Sequence, residues 1–162
     1  MKIVGIDAST NKTGIAVFED GKYLTHTLID LHKITDTNKR IPKMMQAICK
    51  YLKQFDVDKI IMEKSMLKNN IDTVQKLSNI AGVVMFYADT KGIEFELVYP
   101  SEWRSKVGLQ QSSKIKREIL KEEAISAVRQ EYQMNLTDDE SEAVLIARSG
   151  FNLPKIVMED DF

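Results

Sequence analysis

The chain has 162 residues, 43% of them hydrophobic and 29% charged, which predicts one globular domain with a real core and argues against a disordered or fibrous chain. A net charge of −1 is not the bulk signature of a nucleic-acid binder, and no apolar run approaches the ~18 residues of a membrane span. Cys49 is the single cysteine, which excludes an internal disulfide, and His26 and His32 have no cysteine partner with which to hold zinc.

The opening MKIVGID lacks the apolar stretch and small-residue cleavage site of a signal peptide, so it reads as the first strand of a cytoplasmic protein. Residues 2–7 form a short buried strand that ends, unexpectedly, on a carboxylate, Asp7. Residues 13–19 and 22–30 are rich in strand formers and are joined by Asp20-Gly21. That dipeptide suits a type I′ turn, whose two central residues need positive φ. An antiparallel meander of three strands follows. Ile41, Met44, Ile48, Leu52 and Phe55 then recur at helical spacing, with Thr37 or Asn38 as cap and Pro42 early enough to be tolerated. Cys49 reads as a small buried hydrophobe of this helix.

DKIIME, residues 58–63, is another short apolar strand closed by an acid, Glu63. Ile71, Val74, Leu77, Ala81, Val84 and Met85 mark the next helix, with Met85 and Phe86 read as core. IEFELVY, residues 93–99, alternates as a strand and stops at Pro100. A helical turn at 102–107 carries Trp103, read as core packing rather than as a base-stacking platform. A helix from Ser112 or Ser113 to about Tyr132 and a last helix from Asp138 to Arg148, with Gly150 near its C-cap, complete the chain. A meander followed by βα units predicts an α/β domain over residues 1–150, with a mixed sheet and helices on both faces. Residues 151–162 read as an acidic C-terminal tail whose end, VMEDDF, is frayed.

Two strands ending in acids place Asp7 and Glu63 at one rim if the strands are neighbours. In LTDDESEAVLIARSG, residues 136–150, Thr137 and Glu140 fit a capping box, and acids in a first turn complement the helix dipole. Those roles account for Asp138 and Glu140 but not for Glu142, which lies on the same face as Asp139. Four hard oxygen donors without histidine or cysteine, Asp7, Glu63, Asp139 and Glu142, suit Mg²⁺ or Mn²⁺, with Asp138 as the competing ligand.

GIDASTNKTGIAVF at 5–18, IIMEKSMLKNNIDTVQKLSNIAGVV at 60–84 and DDESEAVLIA at 138–147 resemble, in order and spacing, the RuvC-type Holliday-junction resolvases of the ribonuclease H-like superfamily. The chain looks most like their short, bacteriophage-encoded branch. The resemblance implies a mixed five-stranded sheet: strands one to three form the antiparallel meander, and strands one, four and five are parallel. It also implies a homodimer and a divalent-metal site of four acids. Its strand acids fall on Asp7 and Glu63, and its closing pair on Asp139 and Glu142, where the family usually has Asp at the second position. Met66 stands where the family often has an aromatic.

The charge is unevenly spread. Ser101–Lys121 holds six Lys/Arg against two acids, and Glu131–Phe162 holds eight acids against two Lys/Arg. The implied DNA contacts are Lys64, Met66, Lys68, Arg104, Lys106, Lys114, Lys116 and Arg117. Lys106 and Lys114 (or Lys116) resemble the family lysines near the scissile phosphate. The expected activity is metal-dependent cleavage of branched DNA, most of all four-way junctions. One rival is a junction-binding protein with weak or no cleavage. Another is an actin-like nucleotide-binding protein, disfavoured because DASTNKTG lacks an early phosphate-loop glycine.

Overall fold

A computed structural model describes residues 1–66 and 70–159 of the protein. Strands β1 (Lys2–Ala8), β2 (Lys12–Glu19) and β3 (Lys22–Asp30) form the expected antiparallel meander. In the β2–β3 turn Asp20 has φ of 51° and Gly21 of 78°, the two positive values a type I′ turn requires. On the other side of β1, β4 (Lys59–Glu63) and β5 (Glu94–Val98) are added in parallel, giving the sheet order β3-β2-β1-β4-β5.

Because side chains alternate along a strand, a continuous apolar run feeds two cores at once. Val4, Ile6, Ile15, Val17, Ile60 and Met62 face α1 (Thr37–Leu52) and α2 (Ile71–Lys91), where they meet Met44, Ile48, Leu52, Ile80, Val84 and Ala88. Ile3, Ala16, Phe18 and Ile61 face α3 (Pro100–Val107), α4 (Arg117–Tyr132) and α5 (Asp138–Ser149). Among the described residues no helix is long and apolar enough to cross a membrane.

Helix α5 lies directly on the sheet because two facing positions lack a side chain. A Cβ on Gly5 of β1 would stand 2.3 Å from the Ala147 nitrogen and 2.4 Å from the Ala143 carbonyl oxygen. A Cβ on Gly14 of β2 would stand 2.1 Å from the Asp139 carbonyl oxygen. The first turn of α5 is thereby pressed against the ends of β1 and β2.

Several expectations need correction. Helix α1 is capped by Asp36, whose side chain accepts from the Asn38 N–H, not by Thr37 or Asn38. Helix α3 starts at Pro100 rather than at 102, since proline at a first helical position loses no hydrogen bond. Helix α4 starts at Arg117 rather than at Ser112 or Ser113. On α2 the buried row is Ile80, Val84 and Ala88, while Met85 and Phe86 are 47% and 70% exposed, because the sheet touches only a narrow stripe of that helix. Cys49 is half-buried.

The segment 151–159 does not fray. Ile156 is buried against α3 and α4, its N–H donates to the Val107 carbonyl (2.8 Å), and Arg148 donates to the Pro154 carbonyl (2.9 Å).

We expect Gly5→Ala and Gly14→Ala each to cost at least the ~1–3 kcal/mol typical of an overpacked core. Thermal melting should show this as a fall of roughly 2–4 °C for each kcal/mol. An unchanged melting temperature would mean that α5 can lift off the sheet freely.

Candidate active site

The alternation that builds the cores also aims the acids. Ile3 and Gly5 point from β1 toward α5, so Asp7, two residues further on, points the same way and is 9% exposed. On β4, Ile61 points toward α5 and Glu63 follows it. Ile6 pairs with Met62 across the parallel β1–β4 ladder, so Asp7 and Glu63 come next, side by side at the carboxyl ends of adjacent strands. Across from them, α5 begins with the expected capping box. The Thr137 hydroxyl accepts from the Glu140 N–H (3.3 Å), and the Glu140 carboxylate accepts from the Thr137 N–H (3.0 Å). Capping thus occupies Glu140 and leaves Asp139 and Glu142, three residues apart, free to face the strands.

The electrostatics show how closely these groups converge. Burial holds the Asp7 carboxyl well above the usual carboxylate range, and the charges of Glu142, Glu63 and Asp139 push it the same way. Of the surrounding charges, that of Glu142 weighs most on Asp7. Burial, with repulsion from Glu142, pushes Glu63 up to about 7. Asp139 and Glu142 are also raised, chiefly by burial.

A divalent cation would relieve this repulsion. The donor set fits a hard cation: four carboxylates, largely buried and mutually repelling, with no soft ligand among them. Among the described residues no three His, Cys, Asp or Glu side chains are disposed to hold a metal ion as they stand.

Asp138 is differently partnered. It forms an ion pair with Lys121 of α4, which keeps its carboxyl below the usual range despite burial. Lys121 had not been singled out from the sequence, where Arg117 and Lys121 resemble an ordinary helical pair one turn apart. Their shared face of α4 was the available signal. The cations acting on the acids are Arg117 and Arg104 at Glu63, Lys121, Lys12 and Arg117 at Asp139, and Arg104 and Lys121 at Glu142.

Arg104, expected among the DNA contacts, is instead buried in the protein. It is 1% exposed and ion-paired with Glu123 of α4, and its Nε donates to the Gln110 carbonyl (2.6 Å). Lys64, Met66, Lys106, Lys114, Lys116 and Arg117 are all exposed; Lys64 donates to the Tyr99 hydroxyl (3.0 Å). Lys68 lies outside the described residues. Trp103 is buried, as expected, but its Nε1–H donates to Glu63 Oε2 (2.7 Å), a contact that spacing alone did not disclose.

The family described as Crossover junction endodeoxyribonuclease RuvC matches residues 3–147. A protein of that name from Hydrogenovibrio crunogenus is 26% identical over 110 residues, covering 65% of this chain and 63% of its own length. Another from Bifidobacterium animalis subsp. lactis is 28% identical over 109 residues, covering 63% of this chain and 55% of its own length. The chain thus spans less than two thirds of the curated relatives it matches. The solved structure of T. thermophilus RuvC in complex with Holliday junction substrate superposes with a TM-score of 0.71 at 16% identity, covering 92% of each chain. This likeness shows the fold, which is ribonuclease H-like.

Glu63 titrating at about 7, against an ordinary value of 4.5, means that between those pH values the folded protein holds a proton the unfolded chain has released. Its contribution to stability is complete below about pH 4.5 and is lost as pH rises through about 7. With EDTA present, we expect Glu63→Gln to melt above wild type at about pH 8, with the gap closing on acidification. A wild-type protein that melts higher at both ends of that range would contradict the repulsion described here.

Proposed function

Because the chain belongs to the RuvC family, we propose that it is a divalent-metal-dependent endonuclease that cuts branched DNA, with the four-way junction as its substrate. The observation that carries this reading is the convergence of Asp7, Glu63, Asp139 and Glu142, from two strands and a helix, at one largely buried rim. These four side chains would hold Mg²⁺ or Mn²⁺. When bound, the ion would supply an activated water to attack phosphorus and a counter-charge for the departing oxygen.

The protein's own groups divide the remaining work. Asp7 sits on the central strand, flanked by β2 and β4, and so is the most rigidly held of the four acids. Glu142 stands where the family usually has Asp, and with its extra methylene its charge acts on both Asp7 and Glu63. Lys121, held by Asp138 at the margin of the acidic set, is placed to meet an arriving phosphate, and Arg117 and Lys12 extend the positive rim. Lys64, Met66, Lys106, Lys114 and Lys116 are assigned as outer DNA contacts on their exposure. A phosphate-dominated interface of this kind predicts affinity that falls steeply with salt.

The exposed apolar side chains of α2, Ile71, Met85 and Phe86, favour a homodimer. A two-fold dimer would present two active sites to a substrate with matching symmetry. The sequence resemblance points further, to the bacteriophage-encoded branch and to action in the cytoplasm of a bacterial or infected cell.

Labelled four-way and duplex DNA, incubated with Mg²⁺ or EDTA, test this reading. We expect Asp7→Asn and Glu63→Gln to lose on the order of 100-fold or more of the cleavage rate while keeping junction binding. Asp139→Asn should be more damaging than Asp138→Asn, which removes only the partner of Lys121. Tight junction binding by the wild type with no Mg²⁺-dependent product would instead establish the binding-only alternative.

A further inference from the structure

We propose that Trp103 is a positioning residue for Glu63: its indole N–H holds one carboxylate oxygen and so aims the other, uncommitted one at a cation. The proposal rests on the reading of the four acids as a divalent-cation site. Trp103 Nε1 lies 2.7 Å from Glu63 Oε2, a short charge-assisted hydrogen bond between α3 and the tip of β4. An indole is a donor only and carries no charge. It can therefore fix the rotamer of an acid without cancelling the negative charge that a cation needs. A lysine or arginine in the same place would orient the carboxylate and neutralise it together.

The indole is itself held from both sides. At the start of α3, the Tyr99 N–H donates to the Glu102 carboxylate (2.6 Å), which sets the entry of the helix. The Arg104 guanidinium lies 5.2 Å from the Trp103 ring centroid. Arg104 is pinned in turn by Glu123, by the Gln110 carbonyl and by the Leu120 carbonyl at 3.3 Å. Arg104, whose charge the sequence suggested was meant for DNA, is thus built into a brace that runs from α4 through α3 to Glu63. A purely structural indole would be satisfied by any buried acceptor; here the acceptor is one of the four converging acids.

Trp103 is the only tryptophan in the chain, so its emission reports on this contact alone. For the same reason, biosynthetic replacement of tryptophan by benzothienylalanine, which exchanges the N–H for sulfur at nearly constant shape, alters one position. Wild-type emission should change saturably with Mg²⁺, and Glu63→Gln should abolish that change. Mn²⁺ affinity, measured by electron paramagnetic resonance, should fall roughly 10- to 100-fold in the benzothienylalanine protein and in Trp103→Phe. The benzothienylalanine protein should melt close to wild type. Unchanged Mn²⁺ affinity in that protein, or emission indifferent to Mg²⁺ while Mn²⁺ binds, overturns the proposal and leaves the cation site standing. A wild-type protein that binds no Mn²⁺ overturns both.

Discussion

Much of this molecule follows from how closely one helix approaches the sheet. Gly5 and Gly14 offer bare backbone to α5, and the helix settles where any Cβ would collide with it. That contact fixes both the height and the register of the first turn of α5 above β1 and β2. Asp139 and Glu142 are therefore delivered over the end of β1, where the pleat has already turned Asp7 toward them. The amino end of the helix brings its own partial positive charge to the same place. Two small residues on the strands thus decide where acids separated by more than 130 positions come together.

Bringing like charges together has a cost, and the surroundings show how it is shared. Burial raises all four acids, and neighbouring carboxylates push each of them further. Around them the chain supplies cations at the margin, Lys12, Arg117 and Lys121, and a neutral donor, Trp103, at the centre. Full ion pairing within the set would have removed the field that draws in a divalent cation. Asp138 shows the contrast: ion-paired with Lys121, it is held below the usual carboxylate range, although its charge still pushes up Asp139 and Glu142.

What could be read in the sequence depended on the range of the interaction. The hairpin at Asp20-Gly21, the capping box of Thr137 and Glu140 and the acids closing two apolar strands are local patterns, and all three are present in the fold. The ribonuclease H-like sheet followed from the order of the strands and from the spacing of three motifs. Local patterns were silent about partners distant in the chain. Arg104 lies in a basic run, yet tertiary packing pairs it with Glu123 and buries it. Met85 and Phe86 have helical spacing, but whether a given side of α2 meets the sheet is settled by how the layers pack. Trp103 and Lys121 acquire their roles from Glu63 and Asp138, to which nothing in their immediate neighbourhood points.

The sheet also acts as an insulating wall. Alternate residues of β1 belong to opposite sides: Val4 and Ile6 to the layer of α1 and α2, Ile3, Gly5 and Asp7 to the layer that carries the acids. Changes of shape in the α1–α2 layer reach the carboxylates through strand backbone, that of β1 for Asp7 and that of β4 for Glu63. Lineages could therefore redesign the surface on that side, and with it whatever the protein assembles against, while the chemistry on the far side stays intact.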